Sequence, residues 1–479
     1  MSIKSIPKLL SAFLLLFIKT NFSFAQSGSI DASFSSPLKQ YSYLQWKLGE
    51  ITAMAQQSDQ KIVICGQYIG SDGAFQDAKS LARLNPDGSL DPTFKVDVGP
   101  DDLIQAVAIQ SDGKILIGGD FQNYDGVKAY HIARLNTDGS LDKTFHSSLD
   151  KNSQLYKIFI QSDGKILVTR SSSEAIIRLN TDGSKDNSFS MDLGSVLGFT
   201  LRSMALQSDG KILITGLFTE YPSENKYSVL RLLPNGKMEK GFGVVYESVH
   251  LFYEIVVQND GEILVASERT IGIQDGTFEY DYYLIRYHSD GTLDSGFTNQ
   301  SFDDDIRSFA FQADGKILLA GWFTHSNFQP NNHMVRLNAD GSIDKSFSVG
   351  VGPSGKVNCM LLQSEEKILA GGIFTSWNGT ERNFIVRLNG AETNKIKDFS
   401  GNEQVVIYPN PGNGIFNVIS TDELPEKIIV YDPSGAIVLE TIPKHSNVVL
   451  DFQSFANGIY LVQVNQKNSV EFSKVMLVK

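Results

Sequence analysis

One phrase, Gln-x-Asp-Gly-Lys-Ile-Leu, is written seven times along this chain, with its glutamine at positions 57, 110, 161, 207, 258, 312 and 363. The spacings are 53, 51, 46, 51, 54 and 51 residues. A second phrase, Arg-Leu-Asn-x-Asp-Gly-Ser-Leu-Asp-x-x-Phe, accompanies it, with arginines at Arg83, Arg134, Arg178, Arg231, Arg286, Arg336 and Arg387. Some copies are degraded: Gln57 is followed by Asp59-Gln60 and Gln363 by Glu365-Glu366. Self-similarity at a fixed period near 50 residues is the mark of a repeat architecture, and it overrides a domain count taken from length.

Each copy reads as four short strands. In the second, Leu103 to Ile109 is nearly all apolar, Ser111-Asp112-Gly113 turns, and Lys114 to Ile117 is another apolar strand. After Gly118-Gly119 and a loop, His131 to Leu135 forms a third strand, and Thr137-Asp138-Gly139 leads to a fourth ending at Phe145. Asp-Gly between apolar runs is a hairpin signal, because the tight turn needs positive φ. Strands apolar on both faces suit sheets stacked against other sheets. The expected fold is therefore all-β: a seven-bladed β-propeller of four-stranded blades.

The ends of the array fit a closed ring. The last phrase stops at Arg387-Leu388-Asn389-Gly390, while Gly28-Ser29-Ile30-Asp31-Ala32-Ser33-Phe34 stands near the N-terminus with no Arg-Leu-Asn before it. The strand missing from blade seven is thus present at the start of the chain, where pairing leaves no open sheet edge. These phrases resemble the delta-sixty repeat, a bacterial β-propeller family. The resemblance covers about residues 28 to 390, and it implies a fold and a surface setting but no catalytic residues.

The rest of the chain concerns export. Lys4 and Lys8, the apolar run Leu9 to Ile18, and Ser23-Phe24-Ala25 before Gln26 read as a signal peptide over residues 1–25. That run is too short to span a bilayer, no later segment has transmembrane length, and no cysteine follows that could carry a lipid anchor. The propeller occupies 26–390, a polar linker 391–403, and a third segment 404–479. In the third, seven β-like runs (405–408, 415–419, 427–431, 436–439, 448–452, 459–464 and 470–478) are split by Pro409, Pro411, Pro433, Gly435 and Gly458, as in a small β-sandwich. This segment resembles the C-terminal sorting domain of the type IX secretion system of Bacteroidetes. The resemblance rests on Tyr408-Pro409-Asn410-Pro411, Gly414 with Phe416, Tyr431-Asp432 with Gly435, Gly458-Ile459-Tyr460, and Lys474 to Lys479. It implies passage through the outer membrane by that machinery, removal of the domain by a surface cysteine protease, and a product that is released or held on the surface of a Gram-negative cell.

Chemistry is sparse by comparison. The net charge of −12 lacks any basic run, which excludes nucleic-acid binding by phosphate neutralisation. No nucleophile elbow, P-loop or His-Glu-x-x-His occurs, and no cofactor is expected. The seven histidines show no metal or triad spacing and read as unrelated between copies. Asn136-x-Asp138-Gly139-Ser140-x-Asp142 has calcium-loop spacing, but Arg134 and Phe145 fall where acidic ligands belong, so it reads as a hairpin turn and no metal site is expected. Asp303-Asp304-Asp305 reads as a solvated loop. Cys65 and Cys359 fall in blades one and seven, neighbours in a closed ring; they read as separate buried thiols, with a clasp as the alternative.

The Asp-Gly turns must share one rim of the ring, leaving the other two connections on the opposite rim. There Gln67–Lys79, Glu220–Tyr227, Glu268–Tyr280, Thr324–Asn332 and Thr375–Asn383 vary in length and composition. Variable loops on rigid blades suit recognition, and Tyr221, Phe278, Tyr280, Trp322 and Trp377 on or beside them are the candidate ligand-stacking residues. The expectation is a non-catalytic exported propeller that binds an extracellular protein or glycan through this rim. The alternative is an extracellular enzyme acting on polysaccharide with carboxylates in the central channel.

Overall fold

The computed structural model describes residues 27–38, 41–43, 46–68, 79–151, 154–170, 175–194, 196–220, 226–245, 251–274, 277–327, 329–390, 405–408, 414–420, 424–432, 436–467 and 470–477. The signal segment 1–25, the linker 391–403, and Tyr221, Pro409, Asn410, Pro411 and Gly435 lie outside them. The chain divides into two compact units, residues 1–392 and 393–479.

The first unit holds seven antiparallel blades. Their first strands are Glu50–Gln56, Ile104–Ile109, Leu155–Ile160, Val196–Leu206, Leu251–Val257, Ile306–Phe311 and Val357–Leu362. Each is hydrogen-bonded to a second strand and that to a third, as in Ile51↔Gly66 and Ile64↔Ala82 of blade one. Second strands carry the Lys-Ile-Leu phrase and are apolar on both faces because neighbouring blades cover both; all of Ile115–Gly119 and Ile317–Gly321 are buried.

The expected fourth strand is shorter than its sequence suggests. In six blades it is a single bridge, at Leu84↔Leu90, Leu135↔Leu141, Leu179↔Lys185, Tyr287↔Leu293, Leu337↔Ile343 and Ile30↔Leu388. The cause is the next residue, an aspartate whose Oδ1 accepts the N–H two positions on, as Asp91 does from Thr93 at 3.0 Å and Asp142 from Thr144 at 2.9 Å. This local turn competes with the ladder. Blade four has Glu239 there, one methylene longer, and runs on from this point as a strand, Met238–Val245, whereas blade five gains its outer strand later, at Gln300–Phe302, paired with Tyr282 to Leu284.

That acid and the repeat arginine form a latch written in all seven blades. Arg Nε donates to Asp91, Asp142, Asp186, Glu239, Asp294, Asp344 and Asp31 in turn, at 2.7–2.8 Å for the six aspartates. The guanidinium lies over Phe94, Phe145, Phe189, Phe242, Phe297, Phe347 or Phe34, 3.9–5.0 Å from the ring centroid. Its NH1 group crosses to a turn carbonyl of the next blade: Thr137, Thr181, Pro234, Ser289, Ala339, Gly390 and finally Pro86. The step from Arg387 to Pro86 returns to blade one. The ring is closed.

Closure also uses the borrowed strand. Gly28 N–H donates to Asn389 O at 2.6 Å, Asn389 N–H to Ser29 O at 2.9 Å, and Asp31 N–H to Arg387 O at 2.8 Å. Ile51 of blade one packs in one core cluster with Leu369 and Phe384 of blade seven.

Two readings of the sequence are corrected here. The connections of blades two, six and seven are not variable but share one small hairpin, pairing Asn123–Tyr124 with Val127–Lys128, His325–Ser326 with Gln329–Pro330, and Ser376–Trp377 with Thr380–Glu381. Asp125, Asn327 and Asn378 take its turn at φ of 48°, 45° and 50°. Second, His131 and His333 do recur. Each opens the third strand after that hairpin at φ near 60°, as Phe384 does in blade seven, with its N–H bound to the carbonyl of Phe121, Phe323 or Phe374.

The second unit is a sandwich of a three-stranded sheet (Val405–Tyr408, Ile415–Ser420, Asn447–Asp451) and a four-stranded sheet (Ile437–Thr441, Lys427–Tyr431, Gly458–Asn465, Val470–Leu477). Their inner faces meet in one core containing Phe416, Leu450, Phe452, Tyr460 and Val475. Phe416 and Tyr460 of the sorting motif are thus core residues; Phe452 sits 5.0 Å from the first ring and 5.2 Å from the second. Gly414 takes φ +121° before its strand, Gly458 opens the strand that carries Tyr460, and Lys474 lies in the last strand.

Candidate functional site

The first strands neighbour one another around the ring, and all seven share one irregularity. Register slips by one residue between Ile51 and Ala53, Ile104 and Ala106, Leu155 and Lys157, Leu201 and Ser203, Phe252 and Glu254, Ile306 and Ser308, and Val357 and Cys359. The extra residues are Thr52, Gln105, Tyr156, Arg202, Tyr253, Arg307 and Asn358, each five positions before a repeat glutamine. A β-bulge re-aims the side chain it carries.

The bulge also explains a recurring glycine. It draws the start of the first strand against the end of the second, so that a Cβ on Gly119, Gly321 or Gly372 would stand 2.1 Å from the carbonyl oxygen of Leu103, Asp305 or Lys356. No Cβ fits at these three positions as the backbone stands, whereas blades three and five accommodate Arg170 and Ser267 opposite their bulges.

Conservation between copies stops at this ring. The residue before the bulge is always large and apolar, but the bulge position holds Thr, Gln, Tyr, Arg, Tyr, Arg and Asn. Three of these bridge to the next blade. Thr52 Oγ1 donates to Ile104 O at 2.6 Å, Ile306 N–H donates to the Tyr253 hydroxyl at 2.9 Å, and Asn358 Nδ2 donates to Ile51 O at 3.2 Å. Tyr156, Arg202 and Arg307 instead present water-exposed heads. One residue further along, Lys157 Nζ donates to Ser203 Oγ at 2.9 Å and Ser203 Oγ to Glu254 Oε1 at 2.7 Å, linking blades three, four and five.

On the rim opposite the Asp-Gly turns, carboxylates gather between blades five and six. Glu268 ends a stretch paired with Leu251 and faces Tyr282 on the other side. Burial, and then the charge of Asp305, pushes the Glu268 carboxyl above its ordinary range, while Arg202 opposes the shift. Burial likewise raises Asp305 despite Arg307 beside it. Tyr282 is pushed up to about 12 by burial and by the charges of Asp305, Asp304 and Glu268. The solvated loop expected over Asp303 to Asp305 is corrected by this cluster: Asp305 is half-buried within it, and Asp303 braces the blade-six hairpin through Thr324 N–H at 2.8 Å.

The sequence-predicted aromatics separate. Trp377 is completely buried, edge-on to Phe374 at 5.5 Å, and offers no face to a ligand; it fills the position that Tyr124 fills in blade two. Trp322 stands beside the ring with Lys356 3.6 Å and Arg307 4.2 Å from its centroid, and its indole N–H donates to Asn358 Oδ1 at 3.2 Å. Phe278 and Tyr280 lie on the strand Thr277–Tyr287, which with Ile263–Gln274 runs past the blade as a two-stranded ribbon; Tyr280 is 40 % exposed.

The repeats at 57–94, 110–145, 161–189, 207–242, 258–297, 312–347 and 363–390 match a family model described as a β-propeller domain of unknown function, DUF5122. The chain belongs to the DUF5122 β-propeller family. Residues 406–479 of this DUF5122 protein match the secretion-system C-terminal sorting domain. The protein is therefore exported by type IX secretion to the cell surface or the extracellular space. No curated protein matches the chain. Among solved structures it is similar to a streptogramin B lyase (14 % identity, 74 % of this chain and 97 % of that one, TM-score 0.41). It is also similar to an S511A mutant of puromycin hydrolase (14 %, 79 % and 61 %, 0.43) and to a gluconolactonase of Xanthomonas campestris (12 %, 71 % and 94 %, 0.35).

Proposed function

We propose that this exported propeller is a non-catalytic binding protein that takes an extracellular glycan or protein at the channel mouth, on the rim away from the Asp-Gly turns. One observation carries the reading. Seven blades repeat their core, turns and latches, yet the bulge residue facing that mouth differs from blade to blade. Tyr156, Arg202 and Arg307 depart from the copies around them and are exposed to water. A rigid scaffold with varied polar and aromatic heads at one opening suits recognition. The ribbon of blade five, with the exposed Tyr280, extends the contact surface, and Trp322 holds Arg307 in place.

Arrays of polysaccharides and peptides test the reading. Binding by the wild-type protein that falls at least tenfold in an Arg202→Ala/Arg307→Ala variant, with the melting temperature unchanged, is the expected result. Equal binding by both proteins removes the site.

A second reading is favoured by the raised carboxyls of Glu268 and Asp305. Two carboxyls in one cluster, each with its ionised form disfavoured by burial, are the residue types that polysaccharide cleavage uses. Release of shorter saccharides from a bound polysaccharide, abolished by Glu268→Gln, would support the enzyme over the binder.

A further inference from the structure

One blade builds its latch from different residues. In six copies the lysine four positions after the repeat glutamine (Lys61, Lys114, Lys165, Lys211, Lys316 and Lys367) reaches the latch carboxylate at 2.8–3.7 Å. Blade five has Glu262 instead. It also has His288 where five other copies have asparagine (Asn85, Asn136, Asn180, Asn338 and Asn389) and blade four has Leu233. The two exchanges meet in space. His288 Nδ1 lies 3.0 Å from Glu262 Oε2, and His288 Nε2 lies 4.0 Å from Asp294 Oδ1.

The exchange runs against the local electrostatics. Replacing a lysine by a glutamate turns an attraction to Asp294 into a repulsion between two carboxylates a few ångströms apart, at a site where six sister blades keep the cation. A second cation would restore the balance, and the accompanying histidine adds a nitrogen donor suited to one. One donor atom from each of Glu262, His288 and Asp294 lies within 4.8 Å of the other two.

We propose that Glu262, His288 and Asp294 form a site for a divalent cation of the zinc type on the Asp-Gly rim of blade five. One imidazole and two carboxylates suit a borderline metal, whereas calcium takes six to eight oxygens. Asp294 serves the latch and the site together. Its Oδ2 holds Arg286 at 2.7 Å, and its Oδ1, which receives the Gly296 N–H at 2.8 Å, retains a lone pair. The His288 side chain is 47 % exposed, so a metal enters from solvent without any movement of the blade. The site stands apart from the channel mouth and does not depend on the ligand proposed there.

The repeat supplies the control. Zinc chloride is titrated calorimetrically into the full chain and into a Glu262→Lys/His288→Asn variant, which restores the residues of the other blades and so keeps the fold. The proposal expects one zinc per chain for the wild type and a melting temperature that rises with zinc. It expects both to vanish in the variant, whose metal-free melting temperature equals or exceeds that of the wild type. A His288→Ala variant should bind at least tenfold more weakly. No heat and no thermal shift at millimolar zinc would overturn the site, as would wild-type zinc binding by the double variant.

Discussion

Arg387 and Asp31 stand 356 positions apart in the chain and 2.8 Å apart in the ring, where Arg387 Nε donates to Asp31 Oδ2. The same contact spans eight positions in other blades, such as Arg83 to Asp91. Six latches are therefore local, and the seventh joins the two ends of the propeller. The side chains of this pair are only 12 % and 9 % exposed, so removing one partner strands a largely desolvated charge.

An Asp31→Ala variant should lose about 3 kcal/mol of stability, the cost of breaking a buried pair. Deleting residues 28–34 should lower the melting temperature further, because the edge of blade seven is left unpaired. Denaturant titration measures the first and a thermal melt the second.

Acid should undo the latches together. Burial opposes ionisation of Asp31, but Ser33, Lys367 and Arg387 outweigh it and hold the carboxyl at about 2. Asp91, Asp142, Asp186, Asp294 and Asp344 are held below the usual range in the same way. An unfolded aspartate titrates at about 3.9, so this stability is complete above that pH and is lost as pH falls towards 2 and below. Unfolding free energy should be level from pH 7 to 5 and drop steeply below pH 4.

Two glycines separate crowding from backbone conformation. Gly119→Ala places a Cβ 2.1 Å from Leu103 O and should cost about 2–3 kcal/mol. A Cβ on Gly126 would meet nothing within 4 Å, but the residue sits at φ +72°, so Gly126→Ala should cost about 1 kcal/mol. Thermal melts rank the two.

Trp377 should behave as a core residue. Trp377→Ala should cost about 3–5 kcal/mol, whereas Trp377→Phe should cost far less, because the indole N–H has no acceptor among the described residues. Neither change should alter ligand binding by the protein that remains folded.

Both cysteines are free thiols, and burial together with Glu50 pushes Cys359 up to about 12. A maleimide should label neither in the native protein and both after unfolding without reductant.

Much of this was legible because the chain states it seven times. The Asp-Gly turns, the apolar second strands, the latch arginines and the borrowed strand at residues 28–34 all follow from aligning the copies. The bulge ring was harder to see. A bulge is a mismatch in residue count between two strands, and nothing in Thr52 or Arg307 alone announces it; its signal is variability five positions before each glutamine. The shared hairpin of blades two, six and seven was hidden because its side chains differ while its turn, at Asp125, Asn327 and Asn378, is the same. Trp377 looked like a surface aromatic for that reason: it replaces Tyr124 in a buried position of a loop that seemed free to vary.

The account rests most heavily on the channel mouth as the place of recognition. The direct measurement is the affinity of an array-identified glycan or peptide for the wild type, for Arg202→Ala/Arg307→Ala, and for Asp112→Ala on the opposite rim. A loss of tenfold or more confined to the arginine pair, with all three proteins melting alike, is the predicted result. Equal affinity across the three, or a loss confined to the Asp112 variant, would contradict it.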